Sequence, residues 1–172
     1  MFCKKYNIVV FGADGMLGYD VVNLLNSMQL NSKSKIGIVK AFGKEIDISS
    51  FASIYNILSR FKHSDNIKYD IVVNCAAMTD VNKIETDKEY REQAYKSNVI
   101  GPTFLAKICK LFGMKLIHIS TDYVFSEKSA TDWHWPIEYN KYNECHAFHK
   151  NNSVEWPVNI YGMQKLIAEY EI

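Results

Sequence analysis

Tyr6-Asn7-Ile8-Val9-Val10-Phe11-Gly12-Ala13-Asp14-Gly15-Met16-Leu17-Gly18 is the stretch that decides the fold. Residues 6–11 form a short apolar run rich in β-branched side chains, the pattern of a strand buried on both faces. Gly12, Gly15 and Gly18 follow at a spacing of three, and Val21, Val22, Leu24 and Leu25 then recur at helical spacing. Between a buried strand and a helix, each glycine has a physical use. The first permits a tight turn, the second lets backbone approach a pyrophosphate, and the third lets helix lie close to strand. The helix N-terminus adds unpaired N–H groups and the positive end of its dipole. An ordinary strand-to-helix turn can hold glycines too, but the flanking strand and helix favour a dinucleotide-phosphate site.

The rest of the chain repeats that alternation. Ile36-Gly37-Ile38-Val39 reads as a second strand, and a helix begins near Ser49 or Ser50, whose hydroxyls suit an N-cap. Its apolar face is Phe51, Ile54, Ile57, Leu58 and Phe61. Asp70–Ala77 is a third buried strand that ends in small residues, leaving room for a ligand at its carboxyl end. A helical stretch from about Thr86 to Phe112 is interrupted by Gly101-Pro102, where it must bend or restart. Lys115–Ser120 is the next strand, and a last helix begins near Ile160. Strands alternating with helices define an α/β fold, a doubly wound and mostly parallel sheet with helices on both faces.

Length and composition narrow the function. The 172 residues make one domain, 1–172, and 48% apolar residues with a net charge of +1 give no reason for a nucleic-acid or membrane partner. No run reaches membrane-spanning length, and Met1–Lys5 leads directly into the first strand rather than into a signal sequence. Cys3, Cys75, Cys109 and Cys145 are scattered, so a reducing, cytoplasmic setting is expected. From Glu127 to Glu155 the periodicity vanishes, and this irregular inserted loop is placed to lie over a site. His134, Cys145, His146 and His149 fall within it, but none of the usual zinc spacings is met. No metal is expected.

Two further stretches carry chemistry. Ser120-Thr121-Asp122-Tyr123-Val124-Phe125 stands at the carboxyl end of a strand, where hydroxyls enter the same crevice as the glycine turn. Tyr161-Gly162-Met163-Gln164-Lys165 places a phenol and an ammonium at i and i+4, on one helix face. A free tyrosine, with a pKa of about 10, is a poor acid near neutrality. A neighbouring cation is expected to lower the Tyr161 value and make it a proton donor to a developing alkoxide. A surface Tyr and Lys on an exposed helix is the bland alternative.

Taken together, the sequence resembles an extended short-chain dehydrogenase/reductase, and within it the dTDP-4-dehydrorhamnose reductase family. It is also similar to the regulatory β subunit of methionine adenosyltransferase. The resemblance rests on Gly12–Gly18, Asp47-Ile48, Asn74-Cys75-Ala76-Ala77-Met78-Thr79-Asp80-Val81, Ser120–Phe125 and Asn159–Leu166, in that order along the chain. It implies a Rossmann-type domain. Gly12, Asp14, Gly15, Met16, Leu17 and Gly18 would hold the dinucleotide phosphates, and Asp47 with Ile48 would touch adenine. Cys75, Ala76 and Ala77 would line the nicotinamide side, where Tyr161 and Lys165 also reach. Thr121, Tyr161 and Lys165 fall on the catalytic positions, and Asn98 on the helix asparagine that supports the lysine. The implied substrate is a 4-keto-6-deoxy sugar nucleotide.

NAD-preferring sites place an acid at the end of the second strand. Here Lys40 and Lys44 stand there and could pair with a 2′-phosphate, so NADP(H) is preferred and NAD(H) remains possible. The family's carboxyl-terminal substrate-binding part is expected to be missing, because the chain stops soon after Lys165. That leaves an enzyme, a nucleotide-binding regulatory module, or a fragment needing a second chain. An uncovered Lys115–Ser120 edge would favour self-association or a second chain completing the sheet.

Overall fold

The computed structural model describes residues 4–63, 67–125, 149–150, 153–154, 157 and 159–172. Strand β1 (Tyr6–Phe11) leads through the glycine turn into α1 (Met16–Gln29), and β2 (Ile36–Phe42) leads into α2 (Phe51–His63). Strand β3 (Ile71–Asn74) is followed by α3 (Val81–Thr86), α4 (Lys88–Tyr95), a π-helical turn at Lys96–Ile100 and α5 (Gly101–Phe112). Then come β4 (Lys115–His118), a 3-10 turn at Asp122–Val124, a two-residue pairing of β5 (His149–Lys150) with β6 (Ser153–Val154), and α6 (Ile160–Glu171).

The strands β2-β1-β3-β4 form one all-parallel sheet in that order. Strand β1 explains why. Ile8, Val9, Val10 and Phe11 are all buried, and successive side chains point to opposite faces. Val9 and Phe11 join Val72, Ile54, Leu58, Leu105 and Ile108 under α2 and α5. Ile8 and Val10 join Val73, with Val21, Val22 and Leu25 of α1 on the other side. A strand apolar on both faces needs helices on both, which is the doubly wound arrangement.

Three boundaries differ from the sequence reading. Strand β2 continues past Val39 to Phe42, because Phe42 pairs with Phe11 across the ladder and the rings stack at 5.6 Å. The third strand stops at Asn74 rather than Ala77. There the Asn74 side chain accepts from the Ala76 N–H and ends the regular ladder. The single long helix is divided, since Asp87 in extended conformation both ends α3 and caps α4 by accepting from Tyr90 N. Ser50 does cap α2, through Ser53 N at 3.3 Å. At Gly101-Pro102 the proline lacks the N–H an α-helix would direct to Asn98, and the π turn sits immediately before it.

Among the described residues β4 is an edge strand, with Ile117 49% exposed. No described helix is long and apolar enough to cross a membrane. His134, Cys145 and His146 lie outside the described residues, and no cluster of metal-ligating side chains occurs among those described.

Candidate active site

The sheet order reverses direction between β1 and β3, and ligands of open α/β sheets bind where that happens. Gly12 closes β1 there with φ +81°, and a Cβ on it would stand 2.4 Å from Ala76 N. A Cβ on Gly18 would stand 2.0 Å from Gly12 O, so the first and third glycines serve the packing of strand and helix. Gly15 differs. Its backbone is extended (φ −77°, ψ 159°), and an added Cβ would meet only Gly12 O at 3.3 Å before entering open space. It begins α1 with no side-chain cap and no acid in the first turn. Gly15 N donates to Gly12 O at 3.0 Å, and the N–H groups of the turn that follows, from Met16 on, are the ones a helix start leaves without a partner of its own.

A cavity of about 650 Å³ opens in front of this turn. Gly12, Asp14 and Gly15 form one wall, Lys44, Asp47 and Ile48 a second, and Cys75, Ala76 and Ala77 a third. These are nine of the positions expected to hold a dinucleotide. The sequence reading missed Gly43, Ile46, Ser49, Met78, Gln93, Lys96 and Ser97, which complete the lining. Lys96 and Ser97 arrive through the π turn, whose extra residue per turn no propensity signals. Met16, Leu17 and Gly18 do not line the cavity with side chains, so their expected part in holding phosphate falls to the backbone N–H groups at the start of α1. Met16 is 89% exposed, Leu17 stands on the surface of α1, and Gly18 is buried behind the turn.

Several lining groups are tied down. Asp14 accepts from Lys44 N at 2.8 Å, joining the glycine turn to the loop after β2. The Glu45 carboxylate accepts from Gly43 N, so the end of β2 carries acids as well as Lys44. Lys40 lies over the Phe42 ring and away from the cavity. Asp47 accepts from Ser49 N at 2.8 Å and from the Ser49 hydroxyl, which fixes the chain before α2. Burial pushes the Cys75 thiol upward, so it stays protonated in the cavity wall.

Thr121, Tyr161, Lys165 and Asn98 stand outside that cavity, in an adjoining corner. Asn159 caps α6 by accepting from Gly162 N at 2.7 Å, and Glu85 accepts from Ile160 N. Thr121 caps the 3-10 turn through Tyr123 N, and the Tyr123 ring meets Tyr161 edge-on at 6.3 Å. So Thr121 and Tyr161 are brought to the same corner. Asn98 is fully buried, accepts from Met78 N at 2.8 Å, and donates to Met78 O and Gln164 Oε1, both at 2.9 Å. It clamps the segment after β3 onto α6 rather than contacting Lys165.

The electrostatics of the pair depart from expectation. Burial first, then Asp122 and Tyr123, push the Tyr161 phenol above its ordinary range, and Lys165 does not pull it down. The reason is where Lys165 points. Its Nζ lies 3.0 Å from His118 Nε2 and donates to the Ile119 carbonyl. Burial lowers Lys165 to about 8, against the opposing effect of Glu169. The sequence reading also missed His118, although a lone histidine ending a strand beside the crevice was a visible signal.

Open parallel sheet, glycine turn and switch-point cleft together define a Rossmann-type α/β domain of the short-chain dehydrogenase/reductase kind. The chain belongs to the RmlD substrate binding domain family, whose model matches residues 6–172. A dTDP-4-dehydrorhamnose reductase of Mycolicibacterium smegmatis is 41% identical over 103 residues, which cover 60% of this chain and 26% of that protein. One from Mycobacterium tuberculosis is 34% identical over 71% of this chain and 34% of its own length. The crystal structure of dTDP-4-dehydrorhamnose reductase from Bacillus anthracis, in complex with NADP, superposes with a TM-score of 0.68 at 26% identity. That match covers 99% of this chain and 50% of that one. The chain spans half or less of the length of these relatives.

Proposed function

We propose that the chain binds NADP(H) and serves the reduction of a 4-keto-6-deoxy sugar nucleotide. The observation that carries this is the uncapped start of α1, opening beside Gly15 onto the switch-point cavity. Outward N–H groups at a helix N-terminus suit a pyrophosphate, and the space in front of Gly15 suits its close approach. Lys44 and Lys96 add two cations to the cavity wall, and a 2′-phosphate would suit Lys44. The B. anthracis relative with NADP and the reductase names of the curated relatives support the same cofactor and substrate class.

The cofactor, when bound, supplies the hydride. This chain's residues position and protonate. Asp14 and Lys44 N hold the two phosphate-side loops together. Asn98 sets Met78, and with it the Ala76–Ala77 wall. Tyr161, kept protonated by burial, is the proton donor to the substrate oxygen. Thr121 orients that oxygen by hydrogen bond, and Lys165 holds the nicotinamide ribose.

A second reading is a nucleotide-binding regulatory module, favoured by Lys165 resting on His118 rather than beside the Tyr161 phenol. Two measurements separate them: fluorescence titration with NADPH and NADH, and NADPH oxidation with a dTDP-4-keto-6-deoxy sugar. Tighter NADPH binding with turnover, and Tyr161→Phe lowering the rate about 10²–10⁴-fold at unchanged affinity, is the expected result. Binding without turnover supports the module. A chain that binds neither nucleotide refutes both.

A further inference from the structure

Buried Asn74, half-buried His118 and buried Lys165 form a polar chain from the cavity wall to α6. At one end the Ala76 N–H donates to Asn74 Oδ1 at 3.1 Å, which fixes the orientation of the Asn74 amide. Its Nδ2 then faces His118 Nδ1 at 3.1 Å, and an amide NH2 only donates. Nδ1 is therefore the accepting nitrogen, and the proton of the neutral ring sits on Nε2, a tautomer assigned from its partners. Burial, with Lys165 adding to it, lowers His118 to about 4, so the ring is neutral.

Nε2 lies 3.0 Å from Lys165 Nζ. An ammonium has no lone pair to accept that N–H, whereas an uncharged amine has one. The amine's own hydrogen is directed at the Ile119 carbonyl. The opposite assignment, an ammonium donating to a bare Nε2, places the ring proton on Nδ1, against the Asn74 NH2. Turning that amide over then sets its NH2 against the Ala76 N–H. The first assignment alone pairs a donor with an acceptor at each of these contacts.

We infer that His118 is a positioning residue that holds Lys165 on the end of β4 and favours its uncharged form in the dinucleotide-free chain. The role matters because the proposed function needs Lys165 at the nicotinamide ribose, and the inference rests on that reading for its use though not for its test. The surroundings fit. Lys165 is 1% exposed, and burial outweighs the one carboxylate that acts on it, Glu169 of its own helix, which is engaged by Ser120. From the neighbouring elements, Asp122 and Tyr123 act on Tyr161, and Glu85 is bonded to Ile160 N.

The test needs no cofactor. Nitrogen and carbon NMR of the free chain should show His118 as the Nε2–H tautomer. One lysine, absent from Lys165→Met, should titrate near 8, below the ordinary lysine value of 10.5. An Nδ1–H ring, or a Lys165 that titrates at the ordinary lysine value of 10.5, overturns the inference. His118→Leu should move the Lys165 midpoint upward, and an unmoved midpoint also overturns it. If NADPH binds, the His118 ring signals should change as Lys165 leaves. A chain that binds no NADPH refutes the cofactor reading and leaves the free-chain spectra to judge this one.

Discussion

Replacing Gly12 and Gly15 one at a time should separate two roles that the sequence motif runs together. A Cβ on Gly12 stands 2.4 Å from Ala76 N and 2.6 Å from Ala76 Cα, on a backbone at φ +81°. Left-handed backbone costs an alanine about 1–2 kcal/mol, and overpacking against groups that cannot rotate away costs about 1–3 kcal/mol more. Gly12→Ala should therefore lose roughly 2–5 kcal/mol of a total stability on the order of 5–15 kcal/mol. At about 2–4 °C per kcal/mol, the expected fall in Tm is about 4–20 °C. Gly15 has extended backbone and open space, so Gly15→Val should keep Tm within a few degrees. Its side chain would displace a phosphate from the first N–H groups of α1. One charge-assisted hydrogen bond is worth about 1.5–3 kcal/mol, or roughly ten- to a hundredfold in NADPH affinity. Thermal unfolding and fluorescence titration of both variants give the two numbers. A Gly15→Val chain that binds NADPH like wild type refutes the phosphate site, and a Gly12→Ala chain of unchanged Tm refutes the packing argument.

Lys165 has a lowered folded-state pKa of about 8 against an ordinary 10.5, so the unfolded chain binds more protons between those values and stability rises with pH there. Lys165→Met should remove a penalty on the order of 3 kcal/mol that is full below pH 8 and fades toward pH 10.5; urea titrations of both proteins across that range check it. Asn98→Ala strands the Met78 N–H and carbonyl and Gln164 Oε1, and should cost about 3 kcal/mol or more while speeding amide exchange at Met78. Strand β4 presents Ile117 on an open edge, and sedimentation should show self-association that a charged Ile117→Lys substitution weakens; a monomer at all concentrations counts against it.

The fold was legible where local pattern and tertiary demand coincide. Ile8 to Phe11 are apolar without alternation, and that run by itself requires cover on both faces. Among the nine cavity positions, Gly12, Gly15, Cys75, Ala76 and Ala77 were legible for a related reason. Glycines and small residues follow strand ends, where topology fixes what faces the crevice, whereas Asp47-Ile48 came from the family resemblance. Features that depend on side-chain competition across the fold were not legible. Asp87 divides a helix by capping through its own carboxylate, and Asn74 shortens a strand by drawing in the Ala76 N–H. The direction of Lys165 was hidden most completely. Helical spacing puts Tyr161 and Lys165 on one face, but a long flexible side chain goes to the best polar partners within reach, and those are His118 at the end of β4 and the Ile119 carbonyl just beyond it.

The corrected tyrosine also bears on the direction of proton transfer. Oxidising an alcohol needs a base, and a phenol serves as one only to the extent that it ionises. Burial in the cluster with Ile84, Ala94 and Ile160 disfavours the phenolate, and the nearby Asp122 disfavours it further. Lys165, turned to His118 and the Ile119 carbonyl, does not set its charge beside the phenol to reverse this. The group at this corner is therefore a phenol across neutral pH, and giving up its proton leaves the phenolate that the corner disfavours. Reduction of a carbonyl needs that state at the outset, since negative charge develops on the substrate oxygen and must be met by a donor. The arrangement that weakens the expected tyrosine–lysine coupling thus keeps the proton on the phenol, and the proposed donor role needs Lys165 to turn from His118 toward the cofactor, where its charge would ease the proton's release.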